Sequence, residues 1–109
     1  MSAETEIKEQ ISSNPILLYM KGSPDSPQCG FSSRASQLLI SCGKPFSFVD
    51  ILTNPEIRGS LPSISNWPTF PQLFIDGELV GGSDIMMEMH DSGELKQLID
   101  SLEIDQDST

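Results

Sequence analysis

Ile16-Leu17-Leu18-Tyr19-Met20-Lys21-Gly22-Ser23-Pro24-Asp25-Ser26-Pro27-Gln28-Cys29-Gly30-Phe31-Ser32 is the stretch that decides the fold. Its first five residues are uniformly apolar and too few for an amphipathic helix, so they read as a strand buried on both faces. Lys21 to Gln28 is a loop punctuated by glycine and proline. Beyond it the period changes. Phe31, Ala35, Leu38, Leu39 and Cys42 fall at the spacing of a packed helical stripe, and Gly43 supplies the stop. Cys29 stands where loop becomes helix.

Upstream, Glu4 to Ser13 is polar except for Ile7 and Ile11, four apart, which predicts a short amphipathic helix ended by Asn14-Pro15. Downstream, Phe46 to Ile51 alternates as a second strand. Asn54-Pro55 places an N-cap before a proline at the first helical position, predicting a helix through Leu61. Leu73-Phe74-Ile75 and Glu78-Leu79-Val80 flank the turn dipeptide Asp76-Gly77, a hairpin signature. Gly81-Gly82 ends that strand, and Ser83 or Asp84 can cap a last helical region, Ile85 to Leu102, broken near Ser92-Gly93. From Glu103 onward the sequence is acidic and polar and predicts a flexible tail over 103–109. A β-α-β unit followed by a hairpin and a helix is the thioredoxin arrangement. It predicts an α/β fold with a four-stranded mixed sheet flanked by about five helices. With no internal repeat and no linker, residues 1–109 predict a single domain.

Composition narrows the function. A chain of 109 residues can bury a core without a disulfide framework, and Cys29 and Cys42 are too few to form one. The first ten residues carry Glu4, Glu6 and Glu9, unlike a signal peptide, and no apolar run is long enough to cross a membrane. The expectation is a cytoplasmic protein in a reducing compartment. The net charge is −10, and the six basic residues form no patch, which argues against nucleic acid and anionic membranes as partners. An anionic ligand could bind only where Lys or Arg is placed for it.

Cys29 carries the chemistry. A helix N-terminus presents unpaired N–H groups and a partial positive charge, and both favour a thiolate. Lys21, at the end of the first strand, is placed by topology to add a positive charge. A dithiol oxidoreductase would show Cys-x-x-Cys, whereas here Ser32 occupies the position of the resolving thiol. Serine does not attack a disulfide sulfur at useful rates. Cys29 therefore works with an external thiol, and glutathione is the abundant candidate.

Cys29-Gly30-Phe31-Ser32, Trp67-Pro68-Thr69-Phe70-Pro71-Gln72 and Gly81-Gly82-Ser83-Asp84 resemble the three signatures of CGFS monothiol glutaredoxins. Met20-Lys21-Gly22 and the long loop before Cys29 are similar too. The likeness runs from Asn14 to Leu98, and the bacterial single-domain class matches best. It implies that two protomers and two glutathiones hold one [2Fe-2S] cluster, with Cys29 of each protomer as the protein ligand. It implies further that Lys21 and Arg58 pair with a glutathione carboxylate, and that Phe70 pairs with the tripeptide through its backbone. Pro71 matches a cis proline that turns the Phe70 backbone toward the ligand. Ser83 and Asp84 match the helix start that receives the γ-glutamyl end. Without the resemblance, Lys21 and Arg58 read as solvated surface charges; with it, they read as ligand-binding cations. One departure stands out: some relatives carry a second cysteine where Ser83 stands, able to form a disulfide with the active-site thiol.

The remaining candidates read as structure. Cys42 lies on the apolar stripe, His90 has no ligand-spaced partner, Met86, Met87 and Met89 read as packing, and Trp67 as a buttress for the Pro71 loop. Three functions follow. The first is a cluster carrier for iron–sulfur assembly, storage or transfer, homodimeric when loaded and serving apoprotein clients. The second is a glutathione-dependent thiol–disulfide oxidoreductase acting on glutathionylated proteins. The third is a redox-regulated adaptor for BolA-like partners, which the family implies. Ser32 and the long loop favour the carrier, with at most weak oxidoreductase activity.

Overall fold

The apolar run Ile16–Met20 is the central strand. In the computed structural model, which describes residues 2–102, the chain opens with α1 (Ala3–Ser13), whose N-cap Ser2 accepts a hydrogen bond from the Thr5 N–H. β1 (Ile16–Met20) follows, then a short hairpin of β2 (Gly22–Ser23) and β3 (Ser26–Pro27). α2 (Gly30–Ser41), β4 (Ser47–Asp50) and α3 (Pro55–Ser65) complete the first half. β5 (Gln72–Ile75), β6 (Glu78–Gly81), α4 (Ser83–Ser92) and α5 (Glu94–Asp100) complete the described chain. The expected tail over 103–109 lies outside the described residues.

The four-stranded sheet has the order β4-β1-β5-β6. β1 runs parallel to β4 and antiparallel to β5, and β5 is antiparallel to β6. This is the mixed sheet of the thioredoxin fold, with five helices among the described residues. Alternate side chains of β1 enter separate cores. Ile16, Leu18 and Met20 pack with Ala35, Leu39 and Cys42 of the α2 region, Met86 of α4, and Leu95 and Ile99 of α5. Leu17 and Tyr19 pack on the other face with Ile7 of α1 and Ile57 and Leu61 of α3. Helices on both faces explain why β1 has no polar position. Strand β4 lies at the sheet edge between Pro45 and the turn at Ile51, and its Phe48 is 42% exposed. Asp76 and Gly77 take φ of 52° and 83°, as a two-residue type I′ hairpin turn requires.

Five local expectations are corrected or refined. The segment from Gly22 to Pro27 is a hairpin rather than a plain loop, because Gly22, at φ 88°, lets it fold tightly. A Cβ there would stand 2.5 Å from the Ser26 carbonyl oxygen. Helix α3 runs past Leu61 to Ser65 with Pro62 inside it. Proline removes only the bond to the Arg58 carbonyl, and the helix closes at Asn66, which is left-handed at φ 56°. Asn54 is the N-cap of α3 but makes no side-chain cap bond, because its amide donates to the Asp50 carbonyl at 2.8 Å. Gly82, not Ser83 or Asp84, caps α4, its carbonyl accepting from the Met86 N–H at 3.0 Å. Phe31 also leaves the predicted buried stripe. It is 58% exposed, and Ser32 and Ser36 point inward with Ala35 and Leu39.

Candidate active site around Cys29

Cys29 is the N-cap residue of α2, in extended conformation, and its side chain makes no cap bond. First-turn N–H groups of the helix nonetheless lie near enough to act on the sulfur. The thiol pKa is lowered, chiefly by the Ser32 backbone N–H. The Phe31 N–H, the Lys21 charge and the Ser32 hydroxyl add to this, and burial opposes it. Ser32 is fully buried, and its Oγ accepts the Lys21 N–H at 3.0 Å. A hydroxyl tied to the end of β1 thus fills the position where a dithiol protein would keep its second sulfur.

Cys29 opens on a cavity of about 580 Å³. Lys21 and Phe31 flank the thiol, and Arg58 and Pro62 reach the cavity from α3. The loop from Trp67 to Pro71 forms another wall, and Gly82, Ser83, Asp84 and Ile85 at the start of α4 form the last. The cavity therefore brings together Cys29, Lys21, Arg58, Phe70, Pro71, Ser83 and Asp84, which lie far apart in sequence.

The loop wall is fastened from behind. The Gln72 amide, fully buried, donates to the carbonyls of Trp67 at 2.9 Å and Thr69 at 3.2 Å, and the Phe70–Pro71 peptide bond is cis. Gly82 sits against this loop. A Cβ on it would stand 3.2 Å from the Pro71 oxygen and 3.4 Å from Trp67 Nε1, so only a residue without a side chain fits easily. Trp67 thus buttresses the loop and also lines the cavity. Phe31, Pro62, Pro68, Thr69, Gly82 and Ile85 line it too without having been assigned a role. The Trp67 to Gln72 motif contained the signal for two of them, Pro68 and Thr69.

Among the described residues neither Lys21 nor Arg58 belongs to an ion pair, whereas Lys8 pairs with Glu4 and Lys96 with Asp100. Two cations and a helix N-terminus thus face one concavity in an acidic protein, an arrangement suited to an anion with two carboxylates. For metal, the donor set is sparse. No group of three or more His, Cys, Asp or Glu among the described residues could hold an ion, and Cys29 is the cavity's one thiol. A metal centre built on Cys29 would need further ligands from beyond the described residues. Cys42 is buried, and His90 is exposed beside Asp91.

Residues 16–80 match the family model described as Glutaredoxin. The chain is 64% identical to Glutaredoxin 4 of Escherichia coli (strain K12) over 94 residues, 86% of this chain and 82% of that protein. The chain belongs to the glutaredoxin family. Among solved structures, this glutaredoxin is similar to reduced poplar apo GrxS14, with a TM-score of 0.77 and 46% identity over 89% of each chain. It is also similar to a buckwheat glutaredoxin in complex with glutathione, with a TM-score of 0.79, 26% identity, and 90% and 87% of the two chains covered. The Glutaredoxin 4 relatives support a monothiol glutaredoxin, in keeping with the single thiol of Cys29-Gly30-Phe31-Ser32. No helix among the described residues is long and apolar enough to cross a membrane.

Proposed function

We propose that this glutaredoxin binds glutathione and, through Cys29, a [2Fe-2S] cluster shared by two protomers, as a cytoplasmic carrier in iron–sulfur cluster assembly, storage or transfer. The observation that carries this reading is a lone thiol, held toward its anion at a helix start, on a cavity with two cations outside any described ion pair. Lys21 and Arg58 take a glutathione carboxylate, and the Phe70 backbone beside Pro71 takes the peptide. Ser83, Asp84 and the α4 N-terminus take the γ-glutamyl end, whose ammonium pairs with Asp84. The buckwheat relative, solved with glutathione, supports the ligand class.

Each iron of such a cluster needs two protein or glutathione sulfurs beyond its sulfides. One chain offers a single cavity thiol, so the set is completed by glutathione and a second protomer. The cluster is cargo, and its takers are apoprotein clients, with a BolA-like protein as a further partner. The same lowered thiol pKa supports glutathione-dependent thiol–disulfide exchange as a second activity, with Ser32 limiting it to a route that uses an external thiol.

Anaerobic reconstitution with glutathione, followed by iron, sulfide and glutathione counts and sedimentation, tests the reading. One iron, one sulfide and one glutathione per protomer in a dimer, with a monomeric apo protein, is the expected result. Failure to bind a cluster, or a cluster indifferent to glutathione, would overturn it.

A further inference from the structure

Lys21 lies on the cavity at the end of β1, where the chain turns sharply into the β2–β3 hairpin. That corner is held at successive peptide groups. The Met20 carbonyl accepts the Ile51 N–H at 2.9 Å, and the Lys21 N–H goes to Ser32 Oγ at 3.0 Å. The Lys21 carbonyl accepts the Gln28 N–H at 2.9 Å, and the Gly22 N–H donates to Asp50 Oδ1 at 3.0 Å. Gly22 is buried and left-handed, so no other residue could substitute easily and relax the corner.

Asp50 reaches in two directions. Its Oδ1 also accepts the Leu52 N–H at 2.8 Å, and its carbonyl takes the Asn54 side-chain amide at 2.8 Å. The Asn54 carbonyl in turn accepts the Arg58 N–H at 3.1 Å. Its carboxylate, half-buried and paired with no cation among the described residues, therefore clamps the corner bearing Lys21, while the bond to Asn54 at the start of α3 is one that any main-chain carbonyl could make. An acid that serves only a turn would need the Leu52 bond alone. The long-range bond to Gly22 is what links it to the cavity.

We propose that Asp50 is a positioning residue for glutathione binding, its carboxylate fixing the corner that sets Lys21 for capture of a ligand carboxylate. Its carboxylate touches only the main-chain N–H groups of Gly22 and Leu52 and no ligand, and it acts by holding Lys21 in place before the ligand arrives. The inference rests on the proposed glutathione site.

Calorimetric titration of the apo protein with glutathione tests it. Asp50→Ala should weaken binding about fivefold, roughly the value of one ordinary hydrogen bond. Asp50→Asn, which keeps the Oδ1 acceptor, should stay within about twofold of the unmodified protein. In a Lys21→Met background, where one of the two cations is gone, Asp50→Ala should cost less than about twofold. An unchanged affinity in folded Asp50→Ala, or equal losses in both backgrounds, would overturn the proposal while leaving the glutathione site intact. An unmodified protein that binds no glutathione would overturn the site, and the proposal with it. Should Asp50→Ala not fold, amide hydrogen exchange on the unmodified protein decides. The Gly22 N–H should exchange slowly before glutathione is added, and exchange at the rate of an open peptide would refute the clamp.

Discussion

Helix α2 carries a cysteine at each end, and the two ends make opposite environments. Cys29 is the N-cap, facing free N–H groups, Lys21 and a cavity, and its thiol is shifted toward the anion. Cys42 is the C-cap, 5% exposed, packed in the core with Ala35 and Leu39. Burial raises its pKa, and Asp100 raises it further against the opposing effects of Lys96 and Ser41. One residue type on one helix thus becomes a reactive group or packing material according to the sign of the helix end and the access of water.

The sharpest way to break this contrast is to exchange each sulfur for oxygen. Cys29→Ser should abolish iron incorporation on reconstitution, while Cys42→Ser keeps most of it. Equal iron loss in two folded variants would erase the distinction. Next comes the cavity that only the first end faces. Arg58→Glu should weaken glutathione binding by about tenfold to a hundredfold, the range expected for losing a charge-assisted hydrogen bond. Arg58 is exposed, so the melting temperature should barely move.

Alkylation followed by mass spectrometry compares the two thiols in one sample. The lowered pKa of Cys29 means that its thiolate survives as pH falls, so its rate profile should turn over below the ordinary thiol range of about 8.5. At neutral pH Cys29 should react at least ~10 times faster than Cys42, which is both protonated and buried. The smallest effect reverses the order of importance. Cys42→Ser should cost about 1–3 kcal/mol in urea unfolding by burying a hydroxyl, whereas Cys29→Ser should cost almost nothing.

Much of this was legible in the sequence because periodicity and punctuation carry it. The five apolar residues of β1 have no solvent face to advertise, and that silence itself marked a strand between two helical layers. Asp76-Gly77 specified its own turn. Phe31 misled because apolar spacing alone cannot distinguish a core position from the rim of a cavity one turn away. The last turn of α3 was missed, because the single hydrogen bond lost at Pro62 does not end a helix whose Ile57 and Leu61 are already buried. The cavity itself was legible only through motif likeness. The hydrogen bonds from the Lys21 N–H to Ser32 and from the Gly22 N–H to Asp50 run between segments that no local pattern connects.

Strand β4 has consequences for colloidal behaviour. It is an edge strand of four residues with a half-exposed phenylalanine, and chains can add to such an edge. At neutral pH a net charge of −10 keeps copies apart. As the carboxylates protonate toward the isoelectric point near pH 4.2, that repulsion disappears while the edge remains. Solubility should therefore reach its minimum there, measurable by turbidity, and Phe48→Lys should lift it without altering the cavity. The same acidity that leaves this protein few cations to spend on a ligand also keeps its open edge from becoming the seed of a precipitate.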